Sequence, residues 1–542
     1  MESPDGQTLE RQGWGGVMAR RREHEATHEA SDFESALEAM PAEELRAFIR
    51  DQLSGLDETA HARFVSALVD RAARGAAGGW APQGPTETIV REIEHFAQAA
   101  RRVGYAEPSE VDTYLCEGSN AFLARGYETA ARIFRALLIP VGAGDVDLGE
   151  HELVSEVLGV DVAACAAQYA VSVYMITSPQ RRGQAVLAVI DDLRGIRDFW
   201  KPLEELERAA VEPLPAFGDF LAQWRALLEK RTAGACDREW DSEDDRWLRQ
   251  VVLRIEGPEG LAQVARASRR ADDLRAWCKA VAEVGDWKAT LVAYDEATGL
   301  TPDGADVRGA LLDGAALAAH QLGRKDLPLR LERAWREAPT LVRLRRWLGA
   351  SRSRKTLRER VTKALETCPA TAHRQRGLLH LLDGDIVTAA RLLAAAPGLG
   401  WSDSEHPGHL LFPLLARLVG AVDVPEVLDR DDIARWIDDD LDEARLETPE
   451  VAALVALAGI SSPGHPPARA AVIEALRLTA EQRIAGVTGK QRRRYYAHAA
   501  SLALACAQVG PKPEAAAWLA ALRARFRRYP ALQRELDQRV RS

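Results

Sequence analysis

The chain has 542 residues, 46% hydrophobic and 28% charged, with 40 Gly and 26 Pro, a globular composition that excludes low-complexity, collagen-like and wholly disordered chains. At roughly 150 residues per domain, the length predicts three or four units or one long repeat array. A formal charge of −10 excludes a generic polycationic nucleic-acid binder and leaves local basic patches as the route to any anionic partner.

Residues 1–35 read as a polar, flexible amino terminus. Met1–Arg22 holds Asp5, Glu10 and the run Arg20-Arg21-Arg22, with no apolar stretch that would serve a secretory signal. Within it His24-Glu25-Ala26-Thr27-His28 satisfies H-E-x-x-H. On a helix His24 and His28 face one way and would hold zinc, with Glu25 as general base for a bound water. The flanking stretch has almost no apolar face, and no third ligand follows. A polar helix without metal is therefore the expectation, and a zinc-dependent hydrolase is the alternative. Residues 36–74 read as a small helical unit whose stripe is Leu45, Phe48, Ile49 and Leu53. Residues 75–87, rich in Gly, Ala and Pro, read as a linker.

From residue 88 to 542 apolar residues recur at helical spacing, and Ala and Leu dominate. An internal pattern repeats. Tyr114, Gly118 and Ala121 lead to Gly126-Tyr127 and then Ala130, Phe134, Leu137 and Pro140. Leu274, Cys278 and Val281 lead to Gly285-Asp286-Trp287 and then Tyr294, Ala297 and Pro302. Gly377 and His380 lead to Gly384-Asp385-Ile386 and then Ala389, Leu393, Ala396 and Pro397. Trp287 and Ile386 lie 99 residues apart (386 − 287), close to three periods of about 34. A degenerate copy between them keeps Ala334 and Pro339. At these residues the chain resembles the tetratricopeptide (TPR) class, which implies a right-handed α-α superhelix. Gly at the turn permits positive φ, small residues permit close crossing, and Pro ends the second helix. The segments Arg494–His498, Leu522–Leu532 and Ala334–Thr340 are similar to the helical regions of bacterial SWIM zinc-finger proteins. The C-x-C and C-x-H ligands of that finger are absent, so its nucleic-acid role does not carry over.

Other motifs are incomplete. Asp403-Ser404-Glu405-His406-Pro407-Gly408-His409 clusters acids and histidines, but Pro-Gly explains the segment as a turn. Asp145–Glu156 carries some of the acid spacing of a calcium loop, yet Glu150 stands where the turn glycine is needed. Gly489-Lys490 lacks the Ser or Thr that closes a phosphate loop, and Gly459–Pro463 lacks the closing Gly of a nucleophile elbow. Six scattered cysteines without a C-x-x-C pair fit reduced thiols in the cytoplasm. The best candidate for a membrane span, His409–Val422, contains Pro413 and Arg417, so no membrane partner is expected.

Charge is unevenly distributed. Residues 324–360 hold 13 Lys and Arg against 4 Asp and Glu, a net of +9, whereas residues 423–450 hold 12 acids against 3 bases, a net of −9. The two blocks would serve different partners or attract each other within the fold. The favoured expectation is a non-catalytic cytoplasmic scaffold or regulator that binds a protein or peptide in a helical-repeat groove and needs no cofactor. Arg343, Arg345, Arg346, Trp347, Arg352, Arg354 and Lys355 would carry the contact. A nucleic-acid-associated regulator acting through the same basic region is the second reading.

Overall fold

A computed structural model describes residues 35–75, 80–149, 154–233, 241–302, 304, 306–425 and 445–538. Among these the chain is all-α and has no strand; one isolated bridge links Tyr105 and Asp147. No described helix is long and apolar enough to cross a membrane. The stretch His409–Val422, set aside as a span from sequence, falls largely in an 11-residue helix, Gly408–Leu418, with Pro413 inside it.

The chain divides into two compact units between Ile255 and Glu256. The first contains α1 (Ala42–Ser54), α2 (Glu58–Gly75), α3 (Glu87–Val103), α4 (Pro108–Leu123), α5 (Tyr127–Gly142), α6 (Val154–Val157), α7 (Val162–Ile176), α8 (Arg182–Asp192), α9 (Pro202–Ala209) and α10 (Phe217–Thr232). Helix α11 (Glu243–Ser268) carries the boundary. Gly257, two residues beyond it, has φ +66° and interrupts the helix, and Pro258 follows. One core runs through α3 to α10 and the start of α11, with Ile93, Leu115, Phe134, Tyr174, Trp224 and Trp247 buried. Phe220 meets Tyr174 edge to face and Trp224 at a tilt, at centroid distances of 5.0 and 5.5 Å. Helix α2 is fastened to this unit by arginines. Arg63 donates to the carbonyls of Gly159 and Leu158. Arg74 donates to those of Arg208, Ala209 and Ala210 at the end of α9, where helical carbonyls lack internal partners and favour a cation.

The second unit holds α12 (Ala271–Glu283), α13 (Trp287–Leu300), α14 (Asp306–Gln321), α15 (Leu327–Glu337), α16 (Leu341–Gly349), α17 (Arg354–Thr367), α18 (His373–Asp383) and α19 (Ile386–Ala395). It continues with α20 (Gly408–Leu418), α21 (Val451–Ala458), α22 (Pro466–Gly489), α23 (Tyr496–Ala507), α24 (Lys512–Arg525) and α25 (Pro530–Gln538). Consecutive helices pack from α12 to α20. The order then changes: α21 lies on α16, α17 and α18, and the 24-residue α22 lies on α19 and α20.

The repeated sequence pattern corresponds to the hairpins α4/α5, α12/α13 and α18/α19. In the last two the turn is a left-handed glycine, Gly285 at φ +82° and Gly384 at φ +93°. Each is followed by an aspartate that caps the second helix, Asp286 accepting from Lys288 and Ala289 N–H and Asp385 from Thr388 N–H. The first hairpin solves the turn differently. Arg125 takes the left-handed position at φ 63°, while Gly126 has φ −80°. A Cβ on Gly126 would crowd the Ala121 carbonyl oxygen at 3.3 Å. Pro302, Pro339 and Pro397 follow their helices as expected, whereas Pro140 lies inside α5.

Candidate partner-binding surface

The basic block spans α15, α16 and the start of α17, and the fold uses much of its charge internally. Arg343 donates to Asp313 Oδ2 at 2.8 Å and to the Ala338 carbonyl at 2.9 Å. Arg345 is 3% exposed and donates to the Pro449 carbonyl at 2.9 Å. Arg346 donates to Thr448 Oγ1 at 2.9 Å and lies 3.7 Å from Asp313 Oδ1. Trp347 is buried and stacks on Trp335 with centroids 5.2 Å apart, and the Trp335 indole donates to Gln375 Oε1. Arg330 forks onto Asp295 at 2.7 and 3.1 Å. Glu332 accepts Lys363 and Arg336, and Glu337 accepts Arg308 and Arg333. Arg324 and Arg330 hold the Asp326 carboxyl down at about 2.

Arg360 is half-buried and donates to the Trp347 carbonyl at 2.8 Å, whereas four cations of the same stretch face water. Arg352, Arg354, Lys355 and Arg358 are exposed at the amino-terminal end of α17, and the Ser353 side chain caps that end by accepting from Thr356 N–H. The guanidinium of Arg354 rests beside Gly459, the left-handed residue after α21. A Cβ on Gly459 would lie 2.8 Å from Arg354 Nη1. Of the seven residues singled out from sequence, Arg343, Arg345, Arg346 and Trp347 are thus held inward, and Arg352, Arg354 and Lys355 remain on the surface.

The blocks of opposite charge meet in part. Thr448 and Pro449, at the end of the acidic stretch, sit on Arg346 and Arg345, and a Cβ on Gly349 would lie 2.3 Å from Pro449 Cγ. Residues 426–444 lie outside the described residues. Sequence reasoning missed the internal acceptor Asp313, although a signal was present: Asp313 is the one acid in the otherwise apolar run Gly309–Ala319.

Beside α22, a groove of about 810 Å³ runs along α24, with Ile473 and Leu478 on one side and Trp518 on the other. Arg477 stacks over the Trp518 ring at 5.4 Å, and the Trp518 indole donates to Glu481 at 2.7 Å. No sequence motif marked this groove, because its walls come from helices far apart in the chain.

The remaining candidates resolve into structural roles or fall outside the described residues. His406 Nδ1 accepts the Gly408 N–H at 3.0 Å, which leaves Nε2 to donate to the Pro397 carbonyl at 2.8 Å. Burial lowers its pKa, reinforced by the Arg483 and Arg374 cations. Its ring lies 5.2 Å from that of Trp401, which also contacts His409 and His498. Among the described residues no group of three His, Cys, Asp or Glu is placed to hold a metal. His24, Glu25 and His28 lie outside them, as do Glu150 and Cys236. In the calcium-like segment, Asp147 closes a local turn by accepting from Gly149 N–H at 2.8 Å. Burial pushes the thiols of Cys116 and Cys368 up to about 11 and those of Cys165 and Cys278 up to about 12, and it raises Cys506 further. The neutral thiol predominates in each at physiological pH, so the reactive thiolate is scarce and reaction at these cysteines is slow. No protein family, curated protein or solved structure matches the chain.

Proposed function

We propose that the chain is a non-catalytic binding scaffold of TPR-like helix pairs that takes an acidic protein or peptide segment against the exposed start of α17. The observation that carries this reading is the contrast within one basic block. Arg343, Arg345 and Arg346 are committed to Asp313, Pro449 and Thr448, while Arg352, Lys355 and Arg358 are left exposed without an ion-pair partner among the described residues. Exposed like charges on one short element repel one another and gain from an anionic partner. Stacked hairpins support the same reading, because repeat arrays present long surfaces built from successive pairs. An acidic protein is favoured over nucleic acid because Trp335 and Trp347, the aromatics of the block, are stacked on each other in the core and offer no face to a base. The reading places the protein in the cytoplasm and assigns no zinc to His24, Glu25 and His28.

The test is calorimetric titration of the full chain with a glutamate-rich peptide and, separately, with single-stranded DNA. The peptide should bind and lose at least tenfold affinity in the Arg352→Glu, Lys355→Glu, Arg358→Glu variant. Tight DNA binding with a steep salt dependence would favour the nucleic-acid reading. About one equivalent of zinc in the purified protein, lost in His28→Ala, would favour the hydrolase.

A further inference from the structure

The first unit contains a neutral, hydrogen-bonding recess that the scaffold reading does not use. A cavity of about 200 Å³ lies where α2, α4 and α7 meet, far above the ~15 Å³ that holds one water. His61, Ser66, Asp70, Cys116, Ser119, Asn120 and Gln168 supply its polar lining. Gln168 and Asp70 also line a wider groove of about 630 Å³ bounded by α2, α7 and α9, so the two spaces share a wall. Apart from the exposed His61, the recess carries little net charge. Its carboxylate, Asp70, is held by Arg74 at 2.7 Å, and the Cys116 thiol is kept protonated by burial.

Gln168 is the group that asks for a ligand. It is 4% exposed, yet its Oε1 is buried with no hydrogen-bond partner, and no bond engages its Nε2 or the Asn120 side chain among the described residues. An unmade hydrogen bond at a buried amide is unfavourable, and buried polar groups in folded proteins are mostly paired. A carboxamide side chain presents one acceptor and two donors in a plane, and rotation about its last bond exchanges them. The edge that matches it carries a donor and an acceptor side by side. A carboxylate carries only acceptors.

We infer that this recess is a binding site for a small uncharged molecule bearing a primary carboxamide or an equivalent donor–acceptor edge, read by Gln168 and Asn120. The wider groove adjoins it across the wall formed by Asp70 and Gln168. The site is independent of the α17 surface, since it lies wholly within the first unit.

Benzamide and benzoate, which share shape and differ in the donor, are the probes. Ligand-observed saturation-transfer NMR on the full chain should show saturable benzamide binding, with benzoate at least tenfold weaker. Gln168→Leu should weaken benzamide at least tenfold while the far-ultraviolet circular dichroism stays unchanged. In the unsubstituted protein, bound benzamide should slow modification of Cys116 by methyl methanethiosulfonate, read by peptide mass. This second readout stands even where Gln168→Leu does not fold. Equal binding of the two probes, full retention of affinity in a folded Gln168→Leu protein, unprotected Cys116, or a hydrated recess only, with neither probe saturating, would each overturn the inference.

Discussion

Arg345 and Trp347 lie two residues apart in a basic run that reads from sequence as a surface, and both are interior. A cation survives there because its guanidinium finds a backbone carbonyl, that of Pro449 at 2.9 Å, and because α16 turns its Leu341, Leu344 and Leu348 face inward with it. Arg345→Glu would set a carboxylate against that carbonyl without a donor. Breaking such a buried charged contact costs about 3–5 kcal/mol, so thermal unfolding should reveal a strongly destabilised second unit; an unchanged melting temperature would refute the assigned geometry. His406 supplies a pH-dependent counterpart. Its folded pKa lies below the unfolded value of 6.5, so the folded state binds this proton more weakly than the unfolded state does. The corresponding stability is present above pH 6.5 and is lost as pH falls through the lower folded value. Melting temperature should drop between pH 7 and pH 5, and less so in His406→Asn, whose amide oxygen can take the Nδ1 acceptor position without titrating. Equal slopes in the two proteins would count against this role.

At the scale of elements, α13 and α14 show how glycine serves different ends on neighbouring helices. A Cβ on Gly314 would lie 2.3 Å from the Tyr294 ring, whereas one on Gly299 would meet nothing within 4 Å. Gly314→Ala should therefore destabilise by about 1–3 kcal/mol through overpacking, and Gly299→Ala should stabilise by about 0.5 kcal/mol by restricting the unfolded chain. Denaturant titration of the two variants checks the sign of each. The hairpins themselves were legible in the sequence, because Gly285-Asp286 and Gly384-Asp385 pair a left-handed residue with a helix cap, and both signals are local. Arg125 in the equivalent position of the first hairpin was not legible, since nothing in its side chain favours positive φ. Nor were the packing of α22 on α19 and the seat of Pro449 on Arg345, which depend on contacts between residues 88 and 104 positions apart. The candidate surface divided along the same line. Exposed Arg352, Arg354 and Lys355 follow from composition alone, but the inward turn of Arg343, Arg345 and Arg346 depends on Asp313 and on residues 448 and 449 brought in by the fold.

Over the whole molecule, the charge of −10 averages blocks that the fold treats unequally. Part of the positive block neutralises acids of its own unit, and the rest stays at the start of α17. If that remainder binds an acidic partner, affinity should fall with salt by a modest slope set by the few exposed cations. The most direct measurement is affinity capture of the tagged full chain from its own cell lysate, set against the Arg352→Glu, Lys355→Glu, Arg358→Glu variant with matched thermal stability. The scaffold reading predicts a partner with an acidic surface that the unsubstituted chain retains and the variant loses. The same partner retained equally by both proteins would contradict it.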